Sequence, residues 1–243
     1  MNIDVVLLPR DLTPQDVEGR VAIVFDVLRA TTSITAALAA GVKEIRIFGD
    51  TASALAARKA FTGPVLLCGE EKALPPLGFD LGNSPRQFSA AEHAGRTVLL
   101  STTNGTRAIL AASGAAGILI GSLVNASAVA RAAVQMGRDI TLLCAGTNGQ
   151  VAAEDLIGCG GVLESIRQLS PAFDGSDNVL IARTLFHAAR NDLTAALRQT
   201  HGGRNVIAVN LEPDIDFSAK LDSLNVVGHV SGQPPIVRLL ATA

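Results

Sequence analysis

Asp26 is followed by Arg29 and then by three hydroxyls, Thr31, Thr32 and Ser33, within the segment DVLRATTS. The apolar run VAIVF (21–25) precedes it and an Ala-rich stretch follows, so these groups sit where a strand ends and a helix begins. A carboxylate there can hold a hard cation, and a guanidinium can fork onto a phosphate or a sulfonate. Hydroxyls and free backbone N–H groups at a helix start make an anion seat. The plain alternative is a helix cap with a locally bonded acid. The convergence of acid, arginine and hydroxyls on one loop favours chemistry.

The other strand ends carry related groups. After VLLC (65–68) come Glu70 and Glu71, either of which is a second candidate for metal or base. GFDLGNSP then brings Asp80, Asn83 and Ser84 among glycines that allow tight turns. After TVLLS (97–101), the segment TTNGTR places Asn104, Gly105 and Thr106 in a turn suited to cradling a phosphate, with Arg107 just inside the following helix. After DITLLC (139–144), Asn148 and Gly149 echo Asn104 and Gly105. Glu154 and Asp155 then open a helix. They either complement its dipole or complete a magnesium site, since Mg²⁺ takes carboxylate oxygens, waters and substrate phosphate.

The elements that must position these groups read as strand–helix alternation. Strands are expected at 3–8, 21–25, 44–48, 65–68, 97–101, 117–121, 139–144 and 206–210. Helices are expected at 31–40, 51–60, 105–113, 125–136, 153–168, 177–190, 192–200 and 214–222, with QPPIVRLL near the end as an edge strand. Continuous apolar runs, rather than alternating ones, imply strands covered on both faces. The fold class is therefore α/β: a three-layer α/β/α arrangement around a mostly parallel sheet, with ligands beyond the carboxyl ends of the strands. The chain also repeats itself. FDVLRATTSITAA (25–37) resembles LSTTNGTRAILAA (100–112), with Thr31 against Thr106 and Ile34 against Ile109. Two similar βαβαβ halves, about 21–70 and 97–146, are expected to face a central cleft within one domain spanning 1–243, completed by 150–243. The Gly- and Pro-rich connection 69–96 is too long for an idle loop and reads as functional.

Composition closes several classes. A net charge of −2, with only 3% aromatic residues, offers nucleic acid neither a basic field nor a stacking platform. No apolar run is long enough to span a bilayer, and the start of the chain lacks a signal-peptide pattern, so a cytoplasmic protein is expected. Cys68, Cys144 and Cys159 form no CxxC pair and read as buried small apolar residues. The four histidines are scattered, and neither a GxxxxGK[ST] nor a GxGxxG motif is present. A homodimer is the base-rate expectation.

Taken in order, DVLRATTSITAALAAG, GEEKALPPLGFDLGNSP, TTNGT, CAGTNG and AAEDLIGCGG resemble the 2-phosphosulfolactate phosphatase (ComB) family. The likeness is carried by residues 4–165, and PDIDFSAKLD resembles the family's C-terminal stretch. It implies Mg²⁺-dependent hydrolysis of 2-phospho-3-sulfolactate to 3-sulfolactate and phosphate, a step of coenzyme M synthesis. Asp26, Arg29, Glu70, Asn83, Ser84, Asn104, Gly105, Glu154 and Asp155 match the family's motif positions. On this reading Mg²⁺ is held by some of Asp26, Glu70, Glu154 and Asp155, and Arg29, with Arg107, neutralises the anion. The turns at Thr31–Ser33 and Asn104–Thr106 cradle the phosphate, with Asn83, Ser84 and Asn148 beside it. Water is oriented by Asp26 or Glu154, or Asp26 itself takes the phosphoryl group. Two other classes fit the same anion seats: an isomerase or lyase on a phosphorylated hydroxy acid, and a non-catalytic anion or phosphosugar sensor.

Overall fold

VAIVF carries no polar residue because both of its faces are covered. Val21, Ile23 and Phe25 point into one apolar layer, Ala22 and Val24 into another, and all five are fully buried. The computed structural model describes residues 1–241. In chain order it gives β1 (Asn2–Val6), β2 (Val21–Phe25), α1 (Ala30–Ala39), β3 (Glu44–Phe48), α2 (Thr51–Ala60), β4 (Val65–Gly69) and the one-turn α3 (Ala90–His93). There follow β5 (Thr97–Ser101), α4 (Gly105–Ala111), β6 (Gly117–Gly121), α5 (Ala126–Gln135), β7 (Ile140–Cys144) and α6 (Ala153–Leu169). The chain ends with β8 (Asp174–Gly175), α7 (Asp177–Ala189), α8 (Leu193–Gln199), α9 (His201–Ala208), α10 (Pro213–Ser218), β9 (Gly228–Ser231) and β10 (Ile236–Leu239).

The strands make one sheet in the order β4-β5-β3-β10-β9-β6-β2-β7-β1-β8. Six of its pairings are parallel. The β9–β10 hairpin pairs antiparallel within itself and on both sides, with β6 and with β3. One layer, built on α1 and α4, runs across the whole sheet. The opposite face is covered by α5, α6 and α7 at one end and by α2 at the other. This is the expected three-layer α/β class. In α6, Gly160 lets the helix lie against the Ala182 carbonyl and Phe186 of α7, a distance at which a β-carbon would collide.

The two similar segments are not separate bodies facing one another. Each lends its first strand to the other: β2 lies between β6 and β7, and β5 lies between β3 and β4. The local bonding also repeats. The Thr31 hydroxyl accepts from Asp26 N and donates to Asp26 O, and the Thr106 hydroxyl does the same with Thr102.

Three expectations at the end of the chain are corrected. Residues 206–210 are not a strand: they fall at the end of α9, which begins where the Thr200 hydroxyl accepts from Gly203 N. The run VIAV is too short for its periodicity to separate strand from helix, and Val206 is buried while Ile207 is exposed, as one face of a helix requires. QPPIVRLL is not an edge. Its prolines stand before β10, leaving Ile236–Leu239 free to pair on both sides in the middle of the sheet. The expected helix 214–222 ends at Ser218. Among the described residues no helix is long and apolar enough to cross a membrane.

Val237 is fully buried in the central hairpin. Val237→Ala should therefore cost roughly 1–3 kcal/mol in urea unfolding. A cost near zero would put this strand at a tolerant edge rather than at the centre.

Candidate active site

The loops after β2, β4, β5 and β7 meet around one cavity of about 600 Å³, closed on a further side by α9. Each loop is tied to the next. Asp155, on the first turn of α6, accepts from Val27 N at 2.8 Å with one oxygen and from Gly146 N at 3.0 Å with the other, joining the β2 loop to the β7 loop. Asn148 N donates to Asn104 Oδ1 at 3.2 Å, joining the β7 loop to the β5 loop. Glu70 accepts from Thr103 N at 2.7 Å and from Ala73 N at 2.9 Å, joining the β5 loop to the turn after β4. Arg29 then donates to Ala73 O at 2.6 Å, which returns the circuit to the β2 loop.

Asp26 and Arg29 line the cavity and are nevertheless 7% and 3% exposed, so both work largely out of water. Burial pushes the Asp26 carboxyl up to about 7, and the nearby Glu70 and Glu154 add to the rise. The Ala30 N–H and the Arg29 charge oppose it. Burial also raises Asp155 well above the usual carboxylate range. Arg29 donates to Asp214 Oδ2 at 2.8 Å, and Ser84 donates to Asp214 Oδ1 at 2.6 Å. Asp214 itself is fully buried. It lies in PDIDFSAKLD, and nothing in the local pattern of that stretch announces a partner 185 positions away. The bond between Leu28 and Arg29 is cis.

The structure brings Asp26, Arg29, Glu70, Asn83, Asn104 and Asn148 to the cavity. It does not bring the predicted hydroxyls there. Thr31, Thr32, Ser33 and Thr106 are buried, and each donates to a backbone carbonyl. Ser84 is spent on Asp214, and Arg107 is exposed away from the lining. Gly105 acts by its lack of a side chain: a β-carbon there would stand 2.5 Å from that of Ala30 and 2.7 Å from Asp26 Oδ2. The start of α4 is thus pressed against the start of α1. Lys72, Gly202 and Asn205 also line the cavity; Lys72 lies within the GEEKALPPLGFDLGNSP segment but was not among the expected site residues, and Gly202 and Asn205 lie in no motif.

Glu154 is buried behind Gly202, with a carboxylate oxygen packed against that glycine. Its Oε2 has no hydrogen-bond partner, and neither does the buried Asn83 Oδ1. The unpaired oxygen of Glu154, a carboxylate whose charge is felt at Asp26, fits a hard cation. Among the described residues no three His, Cys, Asp or Glu side chains form a metal cage. Mg²⁺ needs none, since it is usually held by one or two carboxylates, waters and a substrate phosphate. Asp26 and Glu154 are the pair best suited to that role, whereas both oxygens of Asp155 are already turned to backbone N–H groups.

Residues 6–233 match a family described as 2-phosphosulpholactate phosphatase. A probable 2-phosphosulfolactate phosphatase of Symbiobacterium thermophilum is 37% identical over 214 residues, covering 88% of this chain and 92% of that protein. Those of Deinococcus radiodurans and Carboxydothermus hydrogenoformans are 38% and 35% identical, over 89% and 95% of this chain and 90% and 94% of theirs.

The raised Asp26 carboxyl has a consequence for stability. Between about pH 4 and pH 7 the folded, metal-free protein keeps a proton that the unfolded chain has lost, so stability falls as pH rises through that window. Asp26→Asn retains an acceptor for Ala30 N and removes the charge. It should make the chelator-treated protein roughly 2–4 kcal/mol more stable than wild type in urea at pH 8, with no gain at pH 4. A loss of stability at pH 8 would contradict this.

Proposed function

The chain belongs to the 2-phosphosulpholactate phosphatase family, and we propose that it hydrolyses 2-phospho-3-sulfolactate to 3-sulfolactate and inorganic phosphate with the help of Mg²⁺. The observation that carries this reading is the closed circuit of hydrogen bonds around the cavity. It holds a buried carboxylate, Asp26, and a buried guanidinium, Arg29, at the junction of two helix starts. A fixed, water-poor arrangement of charge is what transfer of a phosphoryl group to water demands of a protein. The cavity leaves room for a three-carbon acid and the attacking water.

Mg²⁺, when bound, would supply positive charge against the phosphate. Asp26 and Glu154 would hold it. Arg29 spends two donors on Asp214 and Ala73, and its remaining N–H groups are free for phosphate oxygens. Asp26 orients the attacking water and accepts its proton as the new P–O bond forms. The ester P–O bond breaks, the departing alkoxide takes a proton from water in the cavity to become the hydroxyl of 3-sulfolactate, and Asp26 returns its proton to solvent. Asn104 and Asn148, joined to each other, fix the far side of the pocket.

The test is release of inorganic phosphate from 2-phospho-3-sulfolactate. Release with Mg²⁺, abolished by EDTA and lowered about 10²–10⁴-fold by Asp26→Asn, is expected. Equal release in EDTA would remove the metal from the proposal. No release by folded protein with Mg²⁺ would remove the hydrolysis.

A further inference from the structure

Lys72 stands in a two-residue turn. Glu71 and Leu74 bond each other in both directions, N to O, at 3.0 and 3.2 Å. Both central residues are left-handed, Lys72 with φ 53° and Ala73 with φ 67°. Such turns ordinarily take Asn or Gly, which bear this conformation at little cost. The turn is nonetheless held fast, since Ala73 donates its N–H to Glu70 and accepts from Arg29 with its carbonyl. A conformation paid for in this way, at the rim of a cavity, points to a role for the side chain it presents.

The charges around the cavity leave one position open. Arg29 is offset by Asp214, and the Glu71 carboxylate accepts from the Thr51 hydroxyl at 2.9 Å. Asp26 and Glu70 are acids. Lys72 is thus the one cation lining the cavity without an ion-pair partner among the described residues. It is exposed, whereas Arg29 is buried, so the two cations stand at different depths. In a 2-phospho-3-sulfolactate molecule the phosphate and the carboxylate are both borne directly on the middle carbon. The sulfonate stands one carbon further out. With the phosphate at the buried arginine, the sulfonate is the group that reaches the rim.

We propose that Lys72 binds the substrate's sulfonate and sets a preference for phosphate esters that carry a second, remote anionic group. The inference rests on the phosphatase reading of this cavity. An ammonium is a compact charge on a flexible stem, suited to an exposed anion of three equivalent oxygens.

The test is calorimetric and needs no turnover. Binding of 3-sulfolactate, lactate and inorganic phosphate is measured, with Mg²⁺ present, to wild type, Lys72→Met and Lys72→Arg. Lys72→Met should weaken 3-sulfolactate about tenfold or more and leave lactate and inorganic phosphate within about twofold, with Lys72→Arg restoring most of the affinity. Equal weakening of lactate would assign Lys72 to the carboxylate, and equal weakening of inorganic phosphate would assign it to the phosphate; either overturns the proposal. Unchanged binding of 3-sulfolactate by Lys72→Met would overturn it while leaving the phosphatase reading intact. A wild-type protein that binds neither 3-sulfolactate nor phosphate would overturn that reading, and this inference with it.

Discussion

Arg29 and Asp214 lie 2.8 Å apart with their side chains 2% and 0% exposed. Charges that far from water are tolerable only in pairs: removing one partner typically costs about 3–5 kcal/mol because the other is left uncompensated. The pair therefore acts as a clamp with little latitude. Asp214 also takes the Ser84 hydroxyl, and Arg29 reaches across to Ala73. One contact thereby fixes the β2 loop, the turn after β4, the 83–84 segment and α10. The circuit through Glu70, Asn104 and Asp155 carries that constraint around the rest of the cavity.

The sheet explains why these loops can meet. A loop after β2 and a loop after β5 belong to strands five places apart, in parallel groups set antiparallel by the central hairpin. At roughly 20–25° per step, twist over that distance is large, and the groups are not simply opposed. The exchange of first strands sends α1 and α4 back over the same face, where their starts touch at Ala30 and Gly105. The site is the place where the two interlocked segments cross. It is not a groove between two lobes.

Much of this was legible in the sequence because strand ends are marked by composition. Asp26, Glu70, Asn104 and Asn148 each follow an apolar run, and in open α/β sheets ligands gather beyond such strand ends; that two oppositely directed groups of strand ends would meet was not legible. The hydroxyls misled for a physical reason. Thr31 and Thr106 look like an anion seat, yet buried hydroxyls must be satisfied, and a backbone carbonyl one turn back was nearer than any ligand. Asp214 was illegible because its role depends on a partner far away in the chain. Lys72 was hidden inside a charged loop, its significance lying in a left-handed φ that no pattern of residue types reveals. The central position of β10 was masked by prolines that belong to the preceding turn.

A buried carboxylate, Asp214, holds the Arg29 guanidinium at the cavity. The most direct measurement is kcat/KM of Asp214→Asn on 2-phospho-3-sulfolactate with Mg²⁺, taken beside a circular dichroism spectrum of the same sample. Asparagine can still meet Ser84 and Arg29 by hydrogen bonding, but it no longer balances the charge. A fall of about a hundredfold or more, with the spectrum of the folded protein retained, is the predicted result. Wild-type kcat/KM in a folded Asp214→Asn protein would contradict the account.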